Sequence, residues 1–223
     1  MGTLYIVATP IGNLKDISFR ALETLRDVDL ILAEDTRMTK KLLHHYGVSV
    51  PIRRCDEHAG PRVYDDAADF LEKGKSIALV SDAGTPGISD PGARLIEFLR
   101  SRIPEMKIVP IPGSSALVAA LSASGLNADR FTFLGYPPHK KGRQKFFGEM
   151  IGVKVRPMVL YESPHRLQKT LESLSEVFGG DREIVVAREL TKIYEEIWKG
   201  KVEEARNHFT GEKGRGEFVL IIP

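Results

Sequence analysis

Ser76-Ile77-Ala78-Leu79-Val80 runs directly into Ser81-Asp82-Ala83-Gly84-Thr85-Pro86-Gly87-Ile88-Ser89-Asp90-Pro91-Gly92, and this junction decides the fold. The first five residues form an apolar run of strand length, and Ala93-Arg94-Leu95-Ile96-Glu97-Phe98-Leu99 follows with helical spacing. A strand–loop–helix unit of this kind ends at the carboxyl edge of an open α/β sheet, where such sheets bind ligands. Glycine lets backbone approach a ligand closely, and proline stiffens the loop. Asp82 and Asp90 place negative charge where a phosphate cradle needs donors. The loop therefore suits a neutral or cationic ligand better than a polyphosphate. A rigid turn with capping aspartates is the plain alternative.

The same alternation extends to both sides. Tyr5–Ala8, Leu30–Ala33 and Lys107–Ile111 read as further strands of the first half. Ser18–Leu25, Met38–Tyr46, Val63–Leu71 and Ala116–Ser122 carry helical spacing. Strands alternating with helices predict βαβ units and a mostly parallel sheet. The pattern changes near Ser124-Gly125-Leu126-Asn127. Beyond it, Phe131–Leu134, Met158–Tyr161, Ile184–Ala187 and Phe218–Ile222 read as strands, and Ser163 with Pro164 reads as a helix start. The prediction is two α/β domains: 1–120 with a mostly parallel sheet, and 121–223 with a mixed sheet.

Composition bounds the function classes. The 223 residues are 42% hydrophobic and 28% charged, ordinary for a globular protein. A net charge of +2 gives no global electrostatic case for nucleic acid, so any RNA contact needs a local basic patch. The single cysteine, Cys55, excludes an internal disulfide and a cysteine-based zinc site, and it fits a reduced, cytoplasmic compartment. No apolar run is long enough to span a membrane. The N-terminus lacks the basic region of a signal peptide, and Ile6 stands where a myristoylation motif at Gly2 needs Ser or Thr.

Several motifs fail on inspection. Gly74-Lys75-Ser76 ends like a P-loop, but Asp69 occupies the earlier glycine position and a strand follows instead of a helix. No G-x-G-x-x-G follows the first strand. The six histidines show no metal-ligand spacing with carboxylates, and no metal is expected.

Four polar loops follow the first-half strands: Thr9–Asn13, Glu34–Arg37, Ser81–Gly92 and Pro112–Ser115. A parallel sheet would gather them on one edge, which would carry Asn13, Glu34, Asp35, Arg37, Asp82 and Ser115. Ala8-Thr9-Pro10-Ile11-Gly12-Asn13-Leu14, Glu34-Asp35-Thr36-Arg37, Ser81-Asp82-Ala83-Gly84-Thr85-Pro86 and Pro112-Gly113-Ser114-Ser115-Ala116-Leu117 occur in that order. Gly135-Tyr136-Pro137-Pro138, Tyr161-Glu162-Ser163-Pro164-His165-Arg166 and Arg188-Glu189-Leu190-Thr191-Lys192 follow them. In this ordered set the chain resembles the small-subunit ribosomal RNA cytidine 2′-O-ribose methyltransferases of the tetrapyrrole (corrin/porphyrin) methylase superfamily. The resemblance runs from residue 3 to the end.

The resemblance implies two α/β domains with S-adenosylmethionine in the cleft between them, usually in a homodimer. Gly84-Thr85-Pro86 stands where the superfamily carries Gly-Asp-Pro along the cofactor; Thr85 departs from that Asp as the RNA-modifying branch does. By the same resemblance Pro10, Ile88, Ser115, Ala116, Tyr161, Leu190 and the pair Glu217-Phe218 fall at cofactor contacts, and Asp82 lies on the same edge. Many relatives continue into an extra helical segment beyond the position of Pro223, and no RNA grip by such a tail is expected here.

Methyl transfer to a ribose hydroxyl requires alignment, exclusion of water and a proton acceptor. Glu34 or Asp35 is the expected acceptor, with Arg37 beside it; the competing view is a helix N-cap with a first-turn ion pair. Arg37, Arg166 or Lys192 could hold flanking phosphates, and Asn13 lies on the same edge. Lys140, Lys141 and Arg143 follow Tyr136, a basic run beside an aromatic that suits an RNA backbone and a stacked base. The expected partner is small-subunit ribosomal RNA or the assembled small subunit. The alternatives are a methyltransferase on a tetrapyrrole or other small acceptor, and a non-catalytic RNA-binding module.

Overall fold

The computed structural model describes residues Met1–Pro223, which divide into two compact units, Met1–Ser115 and Ala116–Pro223. The division falls before the expected boundary near residue 120. That boundary would cut the helix Ala116–Ala123, whose Leu117, Ala120 and Leu121 pack on the second unit's sheet. No helix is long and apolar enough to cross a membrane.

In the first unit, β1 (Thr3–Val7), β2 (Leu30–Ala33), β3 (Ile52–Arg54), β4 (Ile77–Val80) and β5 (Lys107–Ile111) form one parallel sheet in the order β3-β2-β4-β1-β5. Every residue of β2 and β4 is buried, as a strand covered on both faces requires. Side chains alternate between layers. Leu30, Leu32, Ile77 and Leu79 pack against α3 (Pro61–Glu72) and α4 (Ala93–Arg102). Ile31, Ala33, Ala78 and Val80 pack with α1 (Phe19–Asp27) and α2 (Thr36–His45). Pro110 is tolerated because β5 lies at the sheet edge. Strand β3 gives no apolar run, and its three half-exposed or exposed residues sit at the other edge. A Cβ at Gly2 would lie 1.8 Å from the carbonyl oxygen of Lys75, so close chain crossing explains that glycine without lipidation.

In the second unit, β6 (Thr132–Gly135), β7 (Met158–Glu162), β8 (Glu183–Arg188), β9 (Glu196–Lys201) and β10 (Phe218–Ile222) form a mixed sheet, ordered β6-β7-β10-β8-β9. Only β6 and β7 run parallel. Helix α5 (Ala116–Ala123) covers one face with Val159, Val185, Val219 and Ile221. The other face, with Leu160, Val186 and Leu220, packs against α6 (Arg143–Met150), α7 (Leu167–Phe178) and α8 (Val202–His208). Helix α7 begins at Leu167, later than the start expected at Pro164, because Ser163–Arg166 form a turn in which Arg166 and Leu167 both donate to the Ser163 carbonyl.

Candidate active site

The loops after β1, β4 and β5 are knit together by backbone. Thr9 N–H donates to Gly84 O at 2.8 Å, and Gly84 N–H donates back to Thr9 O at 3.0 Å. Thr9 Oγ1 donates to Ser81 O at 3.2 Å, and Thr85 Oγ1 donates to Ser114 O at 3.2 Å. Gly84 sits at φ +80°, the left-handed region that favours glycine. A Cβ there would also touch Ile11 Cγ2 at 3.4 Å and Ser114 O at 3.7 Å. Pro10, next to Thr9, is buried, whereas Ile88 is exposed and Ser115 is half-buried.

An acidic edge adjoins it. Asp35 caps α2, accepting from Arg37 N–H at 2.8 Å, and its carboxylate pairs with Arg37 Nη2 at 2.6 Å. Its backbone N–H donates to Asp82 Oδ1 at 2.9 Å. The hydrogen bonds from Arg37 hold Asp35 down at about 2, below the usual carboxylate range. Glu34 shifts the opposite way: burial and then the Asp82 charge push it up. Asp90 goes further, pushed up to about 7 by burial and by the charges of Glu34 and Asp82. Glu34 and Asp90 line a pocket of about 300 Å³ together with Tyr64, Cys55 and Arg94. The Cys55 thiol is pushed up to about 11 by burial and is not a nucleophile. Tyr64 carries no signal in the sequence, and Asp90 is read there only as a charge of the loop after β4, beside Asp82. Asp90 belongs to the opening loop, but only the folded environment distinguishes it from a turn aspartate.

Asn13 caps the short turn Leu14–Asp16, accepting from Lys15 N–H at 3.1 Å. In the second unit, the Tyr161 hydroxyl accepts from Leu117 N–H at 3.0 Å at the start of α5. Leu190 packs beside the α5 core, and Tyr136 and Lys140-Lys141 are exposed.

A profile of the Tetrapyrrole (Corrin/Porphyrin) Methylases matches residues 3–206. Proteins named Ribosomal RNA small subunit methyltransferase I match the whole chain. The one from Synechocystis is 46% identical over 222 residues, covering 100% of this chain and 79% of its own. The one from Bacillus subtilis is 44% identical, covering 100% and 75%. The one from Thermotoga maritima is 45% identical, covering 100% and 98%. This chain belongs to the ribosomal RNA small subunit methyltransferase I family. Its fold is shared by solved structures of low sequence identity. The structure of cobalt precorrin-4 methyltransferase, a cobalamin biosynthetic enzyme, aligns at TM-score 0.71 with 16% identity over 99% of this chain and 94% of its own. Diphthine synthase aligns at TM-score 0.69 with 15% identity over 99% and 89%.

Within this methyltransferase, several side chains expected at substrate or cofactor are engaged elsewhere. Arg143 is only 5% exposed; it donates to Thr170 Oγ1 at 2.7 Å and to Pro138 O at 3.2 Å, so it cannot meet a phosphate. Arg166 is held by Glu162 at 2.9 Å and donates to Pro137 O at 2.9 Å. Lys192 lies between Glu189 at 2.8 Å and Glu217 at 2.9 Å. Burial opposes its charge, but bonds to both carboxylates outweigh it and raise its pKa. It already has its anions. The Phe218 side chain lies in the core beside Phe209, leaving only its backbone for any ligand.

Proposed function

We propose that this protein transfers a methyl group from S-adenosylmethionine to a ribose 2′-hydroxyl of a cytidine in small-subunit ribosomal RNA. The observation that carries the reading is the knit edge of β1, β4 and β5 beside carboxylates of opposite character. The residues present fit a cationic sulfonium donor. The edge offers Asp82, Glu34 and Asp90 instead of a phosphate cradle, and the bare Gly84 lets Ile11 and the Ser114 carbonyl close in beside it. Gly84, Thr85 and Asp82, with Pro10, Ile88 and Ser115, are the first-unit residues proposed to hold it. Ala116, Tyr161, Leu190 and the Glu217–Phe218 backbone are the second-unit candidates. S-adenosylmethionine supplies an already activated methyl group.

The protein's own task is to orient the hydroxyl and take its proton. Glu34 is the carboxylate suited to that, because burial and the Asp82 charge raise its pKa and make it the more basic of the adjacent pair. Asp35 stays ionised against Arg37 and shapes the start of α2. Lys140 and Lys141, with Tyr136, form the proposed RNA-contacting surface. We also infer a homodimer working in the cytoplasm. Support comes from the family resemblance and from exposed Ile193 and Tyr194 beside the edge strand β9.

The test is nucleoside analysis of small-subunit ribosomal RNA, free and in the assembled subunit, after incubation with the enzyme and methyl-labelled S-adenosylmethionine. A 2′-O-methylcytidine product is expected. A methyl on a base ring, or on another nucleoside, would overturn the assignment.

A further inference from the structure

Glu162 closes β7 with its side chain inside the second unit, 1% exposed, and the proposed methyl transfer does not use it. Its Oε1 accepts from Ser163 N–H at 2.8 Å and pairs with Arg166 Nε at 2.9 Å. Its Oε2 accepts from Thr170 Oγ1 at 2.5 Å, and that oxygen accepts from Arg143 Nη2 at 2.7 Å. One carboxylate thus anchors two guanidinium groups, one directly and one through a hydroxyl.

Both guanidiniums also reach outward to the same turn. Arg166 Nη1 donates to Pro137 O at 2.9 Å, and Arg143 Nη1 donates to Pro138 O at 3.2 Å. Arg166 lies 5.7 Å from the ring centre of Tyr136. Prolines have no N–H, so Pro137 and Pro138 can be fixed through their main-chain polar groups only at the carbonyls. The turn they make leads from β6 into α6 and carries Tyr136, Lys140 and Lys141. A buried ionic network is expensive compared with an apolar core, and Arg143 Nε is buried here without a partner. Stability alone is a poor reason to keep it.

We propose that Glu162 is a positioning residue that fixes the Tyr136–Lys141 turn, through Arg166 and through the Thr170–Arg143 relay, in the orientation that meets a ribonucleotide backbone. The inference rests on the reading of that turn as an RNA contact. The network sets where Tyr136 and the two lysines point and touches no RNA itself.

The experiment compares Glu162→Gln, Thr170→Val and Thr170→Ser with the parent. It measures affinity for a small-subunit ribosomal RNA fragment, cofactor affinity by calorimetry, melting temperature, and hydrogen exchange of the amides at 139–143. Glu162→Gln and Thr170→Val should each weaken RNA binding about tenfold, the size of an ordinary coupling between contacting groups. Thr170→Ser, which keeps the relay hydroxyl, should retain parental affinity. Cofactor affinity should stay at the parental value, and exchange should rise at the turn. In a Lys140→Ala/Lys141→Ala background, Glu162→Gln should cost clearly less than tenfold, because only Tyr136 is left to misplace. Parental RNA affinity in Thr170→Val, an additive loss in that background, or an undisturbed turn would overturn the proposal, and the Thr170 pair decides it if Glu162→Gln does not fold. If the double lysine variant itself binds RNA like the parent, the RNA contact is what fails. A turn loosened by Thr170→Val would then still show the anchoring.

Discussion

Asp82 Oδ1 accepts the backbone N–H of Asp35 at 2.9 Å. The bond ties the loop after β4 to the start of α2 across two neighbouring parallel strands. Asp82 therefore shapes this edge as well as charging it. The main chain of Asp35 is held by one carboxylate, while its own carboxylate is engaged by Arg37. Glu34, next in sequence, has no such cation and feels Asp82 as a repelling charge. Two adjacent carboxylates are thereby driven in opposite directions.

That separation is why Glu34 is the proposed proton acceptor. Glu34→Gln should lower single-turnover methylation about 100-fold, in the range of a lost general base. Asp35→Asn keeps the capping oxygen and should cost far less, through the weakened pairing with Arg37. Rapid-quench transfer under saturating RNA separates the two. A dead Asp35→Asn beside a fully active Glu34→Gln would reverse the assignment.

Asp90 should leave a mark on stability. Its carboxyl moves from 3.8 to about 7 in the folded protein, chiefly by burial. Between those values the native state holds a proton that the unfolded chain has lost, so stability falls as pH rises through this window and levels off above it. Asp90→Asn should remove that slope and make the protein more stable at pH 8, on the order of 1 kcal/mol after allowance for solvent screening. Denaturant titrations at pH 5, 6, 7 and 8 read the difference. Parallel curves for parent and variant would contradict the shift.

The left-handed backbone at Gly84 offers a probe of the proposed cofactor edge. Gly84→Val forces a branched side chain to φ +80° and into contact with Ile11 and Ser114. S-adenosylmethionine affinity should fall at least about tenfold in a variant that still folds, with a melting temperature lowered by the strain. Calorimetry on the folded fraction decides it, and an unchanged affinity would move the cofactor off this loop.

The sequence exposed the parallel half well, because Leu30–Ala33 and Ile77–Val80 are continuous apolar runs bounded by turn residues. It hid β3 and β9 for one shared reason. Both are edge strands, and Ile52-Arg53-Arg54 and Glu196-Ile197-Trp198-Lys199-Gly200-Lys201 carry charge where water reaches them. The loops that meet at the sheet edge were legible from their Gly, Pro and Asp residues. The state of each charge was not. Arg143, Lys140 and Lys141 form one basic run in sequence, but only the fold turns the arginine inward to Thr170 and leaves the lysines in water. Asp90 likewise looks like any turn aspartate until burial raises it.

The split within that basic run gives the last prediction. Lys140→Ala/Lys141→Ala should weaken binding to single-stranded ribosomal RNA and flatten its dependence on salt. Removing two phosphate contacts lowers the slope of log affinity against log salt by about 1.4. Folding stability should hardly change, since both side chains are exposed. Arg143→Ala should act on the fold first. It strips a buried donor from Thr170 and from Pro138 O, so it should destabilise the fold by about 3 kcal/mol. At temperatures where the variant stays folded, the loosened turn should misplace Lys140 and Lys141, so its salt slope should fall by no more than that of the double lysine variant. RNA titrations at several salt concentrations, paired with denaturant unfolding, test both halves. A slope lower than that of Lys140→Ala/Lys141→Ala would mean that the arginine leaves its buried site when RNA binds.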